Sequence, residues 1–575
     1  MSPAAPLPES SLPNALPAQL GGFVGRTEQL NWLRSAAGQA KTRLLGLSGV
    51  PGVGKTALAV ALAHQLAASY PGAQFFVDLD DLGPAPSPGD VMAQVIWTIH
   101  PTAVLSADPA VLTKTYRNAL KDLRTLVVID SVPSHPQWAA LLPPDGCLLL
   151  VGDKHLPVQA ELSVEALPEA DAVRLLLSLA PRIGPAASEL AKLSGRLPLA
   201  LRLAAAALST SSELVTGEYL RRLMEEIRAV EVADYTLAAL AVSAKLVPAD
   251  ASHLWRRLAI FPSGFDVTAA AAVAELKLER AQSALSSLLR YGLLDRDRGA
   301  RRYRLHGLAR QFAADLLEPS EGERARQLHA AHYRDVLAAA DRLAAADQPA
   351  AENRPARGDG YGAGVLAGLK GFDLERGNIL TGHAWAAARV DDNSFASRLA
   401  SDYAAAGAWL LPFRLVPAQQ IVWLETARSA AQQLGDHVAE GRHLDQLGRQ
   451  YRHAANPRRA IAVYERQLRL ARESGDRNGE GEACGRLGLA YVDLGQARRA
   501  VDYNRQALDI ARELGSRRAE ALASWNLGLA YEALGDLPSA IAAMQICVDF
   551  ERDINHPDAE ADAAQVNDLR RRAAN

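Results

Sequence analysis

The chain has 575 residues, 49% hydrophobic and 22% charged, with a formal net charge of -3, 3 cysteines and 4 methionines. At about 150 residues per domain this length corresponds to about four domains, and the near-neutral balance excludes bulk electrostatic capture of nucleic acid or acidic membrane as the main business of the chain. Cys147, Cys484 and Cys547 lie too far apart in sequence for a disulfide framework or a metal-ligand cluster, which fits a reducing, cytoplasmic compartment. No Lys or Arg precedes Arg26, so a secretory signal is not expected, and no apolar run reaches the about 18 residues of a membrane span.

In chain order, residues 1–20, rich in Pro, Ser and Ala, read as a flexible lead-in too short for an effector domain. Across residues 21–165 apolar runs at Leu44–Ser48, Gln74–Asp78, Thr125–Asp130 and Cys147–Gly152 alternate with helical stretches, which is the pattern of a parallel sheet covered by helices. Residues 166–235 read as a first helical adjunct and 236–320 as a second, which contains a basic hairpin-like stretch from Arg296 to Leu305. Residues 321–405 form a helical linker region interrupted by a Gly-, Ala- and Asp-rich mobile connection at 346–371, and 406–575 are helical throughout.

The clearest chemical signal is Gly49-Val50-Pro51-Gly52-Val53-Gly54-Lys55-Thr56, which follows the first strand and opens a helix at Ala57. The glycines let backbone N–H groups curl around a β-phosphate, Lys55 places a point charge between β- and γ-phosphates, Thr56 can ligate Mg²⁺, and the helix N-terminus favours anions. Asp130, at the end of a buried strand, can hold the Mg²⁺ through water; a plain strand-end turn is the alternative for it. ATP or ADP with Mg²⁺ is the expected cofactor, with Lys55 and Asp130 as the catalytic candidates.

The C-terminal part repeats with a 40-residue period: Leu447, Leu487, Leu527; Gly448, Gly488, Gly528; Tyr451, Tyr491, Tyr531; Ala460, Ala500, Ala540. Small residues at two fixed positions allow the helices of one unit to approach closely, and the tyrosine fills the gap between units. The pattern resembles tetratricopeptide repeats of a longer type, whose first helices line a concave surface for a protein or peptide. On that resemblance Asp445, Gln446, Arg449, Arg486 and Asn526 are candidates for a ligand groove, and solvated helix faces are the alternative.

Phe23-Val24-Gly25-Arg26, the phosphate loop, Asp130, Gly195-Arg196-Leu197-Pro198-Leu199-Ala200-Leu201 and Leu305-His306-Gly307 occur in that order. Together they resemble the NB-ARC branch of the STAND signalling ATPases. The resemblance implies an α/β P-loop NTPase domain followed by helical ARC and winged-helix subdomains and an all-α superhelix of tetratricopeptide repeats. It also implies that Val24 and Arg26 flank the base, that Pro198 packs on it, and that His306 senses ADP. Leu16-Pro17-Ala18-Gln19-Leu20 further resembles the junction after the DNA-binding part of some antibiotic-pathway activators.

Three departures bear on activity. Ser131 stands where the family often has a second acidic residue, Val151-Gly152-Asp153-Lys154 lacks the arginine that senses a γ-phosphate, and Gly307 replaces an aspartate after the histidine. Lys154 can substitute for that arginine as a charge, though not as a planar fork. These losses imply a slow ATPase or a binder. The resulting expectation is a signal-transducing switch, in an immunity-like or phage-defence setting, that senses a ligand through its repeats, self-associates in the ATP state and acts through a separate effector chain. A transcriptional regulator and a nucleotide-stabilised scaffold are the alternatives. Arg296, Arg298, Arg301, Arg302, Arg304 and Arg310 form a basic stretch on the winged helix, but DNA is not the expected partner because that subdomain is internal to the switch in the family.

Overall fold

The computed structural model describes residues 15–19, 21–39, 41–211, 213–229, 234–297, 301–346 and 362–574. They belong to two compact units, one of Met1–Leu337 with Leu369–Trp385 and the other of Ala338–Gly368 with Ala386–Asn575.

The first unit is built on five parallel strands: β1 Leu44–Ser48, β2 Ala73–Asp78, β3 Thr125–Asp130, β4 Gly146–Val151 and β5 Ala160–Ser163. They lie in the order β2-β3-β4-β1-β5. The three central strands are buried at every residue, as a sheet covered on both faces requires. Alternate residues Leu45, Leu47, Leu126, Val128, Cys147 and Leu149 join one core with Leu30 and Leu33 of helix Thr27–Ala37 and Leu58 and Leu62 of helix Lys55–Leu66. Cys147 is thus a core residue. β5 escaped the sequence reading because it is an edge strand, Ala-Glu-Leu-Ser, with no apolar run and no buried residue.

The lead-in differs from expectation where it is described. The backbone N–H of Ala15 donates to Gln74 O at 3.0 Å, Pro17 O lies 2.8 Å from His64 Nε2, and Leu16 packs on the core. Residues 15–19 are therefore tied to the sheet by an apolar anchor and two polar contacts; residues 1–14 and 20 lie outside the described residues. A second correction concerns the connection at 346–371, since residues 363–371 are the opening turns of helix Ala363–Ala387. The composition misled because alanine and glycine outnumber large apolar side chains there; residues 347–361 lie outside the described residues.

Helices Ala249–Leu258, Val267–Ala274 and Leu278–Arg290, the antiparallel pair β6 Asp295–Asp297 and β7 Arg302–Arg304, and helix Gly307–Asp315 form a winged helix. Trp255, Phe261 and Phe265 are buried in it. Arg298 of the basic stretch lies outside the described residues.

The second unit is all-helical, and its periodicity is that of the sequence. First helices start at His437, Arg477 and Arg517, second helices at Pro457, Ala497 and Leu537, and Ala559–Ala574 closes the array. Asp436, Asp476 and Ser516 each accept a backbone N–H three residues on, so the same cap opens each first helix. The pairs Arg472–Glu480, Arg512–Glu520 and Arg552–Glu560 recur at the same step, at 2.8, 2.8 and 3.1 Å. Such exposed pairs contribute little each. The close approach within a unit matters more: a Cβ on Gly448 would collide with Tyr464, on Gly488 with Asn504, and on Gly528 with Met544.

Gly488→Ala should therefore lower the melting temperature of the chain, the overpacking cost of about 1–3 kcal/mol exceeding the about 1 kcal/mol that alanine contributes to a helix. Gly485→Ala on the same helix, where the nearest atoms to the new Cβ stand 3.8 and 3.9 Å away, should be neutral or stabilising. Thermal unfolding followed by circular dichroism checks both, and equal effects at the two positions would contradict the packing argument.

Candidate nucleotide site

The phosphate loop leaves β1 at the C-terminal edge of the sheet, where ligands of open α/β sheets bind. Gly49, Gly52 and Gly54 have φ of 147°, 81° and 94°, conformations that side-chain-bearing residues rarely adopt. A Cβ on Gly49 would lie 2.6 Å from Val164 O, so glycine is required there on space as well. Val53 is fully buried beneath the loop. The helix that opens at Lys55 carries Thr56 and Ala57 in its first turn and aims its unpaired N–H groups into the loop.

The helical adjunct roofs this loop. Helix Pro198–Thr210 begins with Pro198, the N–H of Leu199 donates to Gly52 O at 3.2 Å, and a Cβ on Gly54 would stand 3.6 Å from Pro198 Cγ. Arg26, 5% exposed and itself at φ 67°, donates from NH2 to Val53 O at 3.0 Å. Burial lowers its guanidinium pKa, with Asp171 and Glu165 opposing. Val24 is half-buried just ahead of it. Arg26, Pro198 and the loop glycines are thus brought to one place, with Val24 two residues ahead of Arg26 in the chain.

The Mg²⁺ candidates also meet. Thr56 lies near Asp130 at the end of β3, its hydroxyl lowering the carboxylate's pKa, and the N–H of Ser131 donates to Asp130 Oδ1 at 2.9 Å. Burial pushes Asp130 above its ordinary pKa, and Asp78 adds to this. That second carboxylate is in register, since Asp78 pairs with Asp130 across β2 and β3. A glycine-lined loop, a buried lysine and a paired Thr–Asp set fit a nucleotide phosphate chain with a hydrated Mg²⁺: the loop amides and Lys55 would hold the phosphates, and Thr56 and Asp130 the ion.

Two groups that the sequence reading passed over complete the site. Lys55, 9% exposed, donates to Gly49 O at 2.9 Å and Val50 O at 3.1 Å and pairs with Asp153 Oδ1 at 2.8 Å. Lys154, the charge that the sequence offers at this place, is exposed. The other group is the acidic end of β2. Arg304 of β7 binds Asp78 at 2.7 Å and Asp81 at 3.1 Å, and Arg310 binds Asp80 at 2.8 Å. Arg302 chelates Glu375, at 2.8 Å for one of its two contacts. Burial alone would lower Arg304, but Asp78, Asp81, Asp80 and Asp130 more than offset it and hold the guanidinium above its ordinary pKa. Three Asp in four residues after a strand, read against six Arg in the wing, was the available signal.

His306 caps helix Gly307–Asp315, its Nδ1 accepting the N–H of Leu308 at 3.3 Å. With Nδ1 so engaged, the neutral ring carries its proton on Nε2, a donor. The ring reaches solvent, yet the surrounding protein lowers its pKa; among the charges acting on it are Asp295, Lys55 and Asp153.

The repeat candidates do not form one open set. Asp445 accepts from Arg449 at 2.6 Å and from Arg486 at 2.8 Å, so these three satisfy one another across adjoining units. Asn526 is 6% exposed, and its carbonyl accepts from Asn504. Gln446 borders a cavity of about 230 Å³ with Arg398, Arg442 and His443. Burial pushes His443 down to about 4, and its Nε2 lies 2.9 Å from Ser401 Oγ. Among the described residues no helix is long and apolar enough to cross a membrane.

Comparison with known proteins agrees with this anatomy. Residues 248–318 match the winged helix-turn-helix domain family, and residues 444–477 and 481–514 match tetratricopeptide repeat families. Regulatory protein AfsR of Streptomyces coelicolor is 32% identical over 342 residues, 54% of this chain and 34% of that protein. AfsR of Streptomyces griseus is 30% identical over 341 residues, 55% of this chain and 34% of that protein. The chain thus spans about a third of the length of these relatives. A solved STAND protein with a tetratricopeptide repeat sensor from Pyrococcus horikoshii superposes with a TM-score of 0.41 at 16% identity, over 95% of this chain and 86% of that one. The Aeropyrum pernix Orc1 protein, solved in complex with DNA, gives 0.27 at 18% identity, over 52% and 94%. The chain thus joins a five-stranded parallel sheet with a phosphate loop to a winged helix-turn-helix domain and tetratricopeptide repeats, and over about half of its length it is similar to the regulatory protein AfsR.

Proposed function

We propose that the chain is a nucleotide-operated regulatory switch whose resting form is the ADP state. The observation that carries this reading is the seat of the winged helix on the nucleotide module: Arg304 and Arg310 on Asp78, Asp80 and Asp81, with His306 in the field of Lys55 and Asp153. In this arrangement the loop amides and Lys55 would hold the phosphates, Val24, Arg26 and Pro198 would bracket the base, and the Nε2–H of His306 would serve as a donor to the β-phosphate. Thr56 and Asp130 would hold a hydrated Mg²⁺. A bound triphosphate would supply a γ-phosphoryl group whose slow hydrolysis resets the switch.

Magnitudes limit what nucleotide alone can do. Moving a two-state protein from mostly closed to mostly open takes about 5.5 kcal/mol of differential binding. One charged hydrogen bond, such as that from His306, supplies about 1.5–3 kcal/mol. The winged-helix arginines add to the closed side, so opening requires a second input. We assign that input to a protein or peptide on the repeats and to self-association in the ATP state, with output through a separate effector chain. The curated relatives are regulatory proteins, which favours a regulatory output over a role in defence.

Two measurements test the reading. ADP with Mg²⁺ should raise the melting temperature of the wild-type chain and leave Lys55→Ala unmoved, since a ligand that binds only the folded state stabilises by mass action; absence of a shift at millimolar ADP in the wild type would contradict nucleotide binding. In the seat, Arg304→Ala should cost about 1–2 kcal/mol of stability, discounted for the partial exposure of the arginine. A double-mutant cycle with Asp78→Asn should return a coupling of at least about 0.5 kcal/mol, and simple additivity would show that the two side chains do not act as a pair.

A further inference from the structure

The three protons of the Lys55 ammonium meet three acceptors: Gly49 O at 2.9 Å, Val50 O at 3.1 Å and Asp153 Oδ1 at 2.8 Å. The two carbonyls belong to the loop that the lysine springs from, but the carboxylate is delivered by the sheet. β1 pairs with β4 so that Leu47 stands opposite Val151, and two residues further along each chain Asp153 comes level with Gly49. The lysine is 9% exposed and the aspartate 63%, so a buried cation is matched by an anion on the open side. That is the side on which a phosphate chain would lie. Beside it an open cavity of about 410 Å³ is bounded by Gly49, Val50, Asp153 and the His155–Glu161 pair. Asp153 and Glu161 make this wall acidic, at a place where the chain lacks a phosphate-sensing arginine.

We propose that Asp153 is a built-in stand-in for a terminal phosphoryl group on Lys55, and that it makes the site select a nucleoside diphosphate over the triphosphate. The proposal rests on the nucleotide reading of the phosphate loop. A diphosphate would draw Lys55 from the loop carbonyls of Gly49 and Val50 and, having no γ-phosphate, would leave the Lys55–Asp153 contact in place. A triphosphate must take Lys55 from Asp153 and then leave that carboxylate beside the added charge of the γ-phosphate. Asp153 is thereby a specificity determinant, and the preference is set by this one exposed side chain rather than by the loop itself.

Calorimetric titration of the full chain with Mg·ADP and with Mg·ATP tests this in the wild type, Asp153→Asn and Asp153→Ala. Both variants should bind ATP about tenfold more tightly than the wild type, the scale of one charge-assisted contact, while ADP affinity changes less than about threefold. Equal tightening for the two nucleotides, an unchanged ratio, or a wild type that already prefers ATP overturns the assignment of Asp153 alone. If the wild type and both folded variants bind neither nucleotide, the phosphate-loop reading fails, and the role of Asp153 falls with it.

Discussion

Four aspartates crowd the C-terminal edge of the sheet: Asp78 ends β2, Asp80 and Asp81 follow it, and Asp130 ends β3 in register with Asp78. Burial raises the pKa of Asp81 and of Asp130, and each also feels Asp78. Carboxylates gathered this closely repel one another, and cations brought to them offset that repulsion. Arg304 and Arg310 of the winged helix are those cations. The seat of the winged helix on the sheet therefore answers the charge of the acidic edge, and His306 follows two residues beyond Arg304.

This constraint links the departures from the family pattern. Ser131 removes one carboxylate near the Mg²⁺ position, while Asp78 places another beside Asp130 through strand register. The missing arginine after β4 leaves room for Asp153 on Lys55. Gly307 stands where the aspartate is missing, and His306 instead accepts the N–H of Leu308 on Nδ1. On the proposed reading, each substitution would weaken a group that acts on a γ-phosphate and keep those that hold the shorter chain.

Motifs whose chemistry is local were legible in the sequence. The phosphate loop is set by glycine conformations and a strand-to-helix turn within eight residues, and the repeats by small residues at a fixed step; both are found where the pattern puts them. What was not legible depends on partners distant in the chain. Arg304 and Asp78 are separated by 226 residues, and the six arginines of the wing read as one basic patch until the fold assigned three of them to carboxylates. Asp153 was hidden because it faces Lys55 only through the β1–β4 pairing. In the repeats, Asp445, Arg449 and Arg486 looked like free groove residues because the sequence does not show that they satisfy one another. β5 and the start of helix Ala363–Ala387 were missed because their few large apolar residues leave no period to read.

The central claim is that the chain rests with a diphosphate held beneath the winged helix. The most direct measurement is the identity of the nucleotide released by acid from freshly purified wild-type protein. The account predicts ADP in near-stoichiometric amount, and its loss from Lys55→Ala. Protein that emerges empty, or that carries ATP in place of ADP, would contradict it.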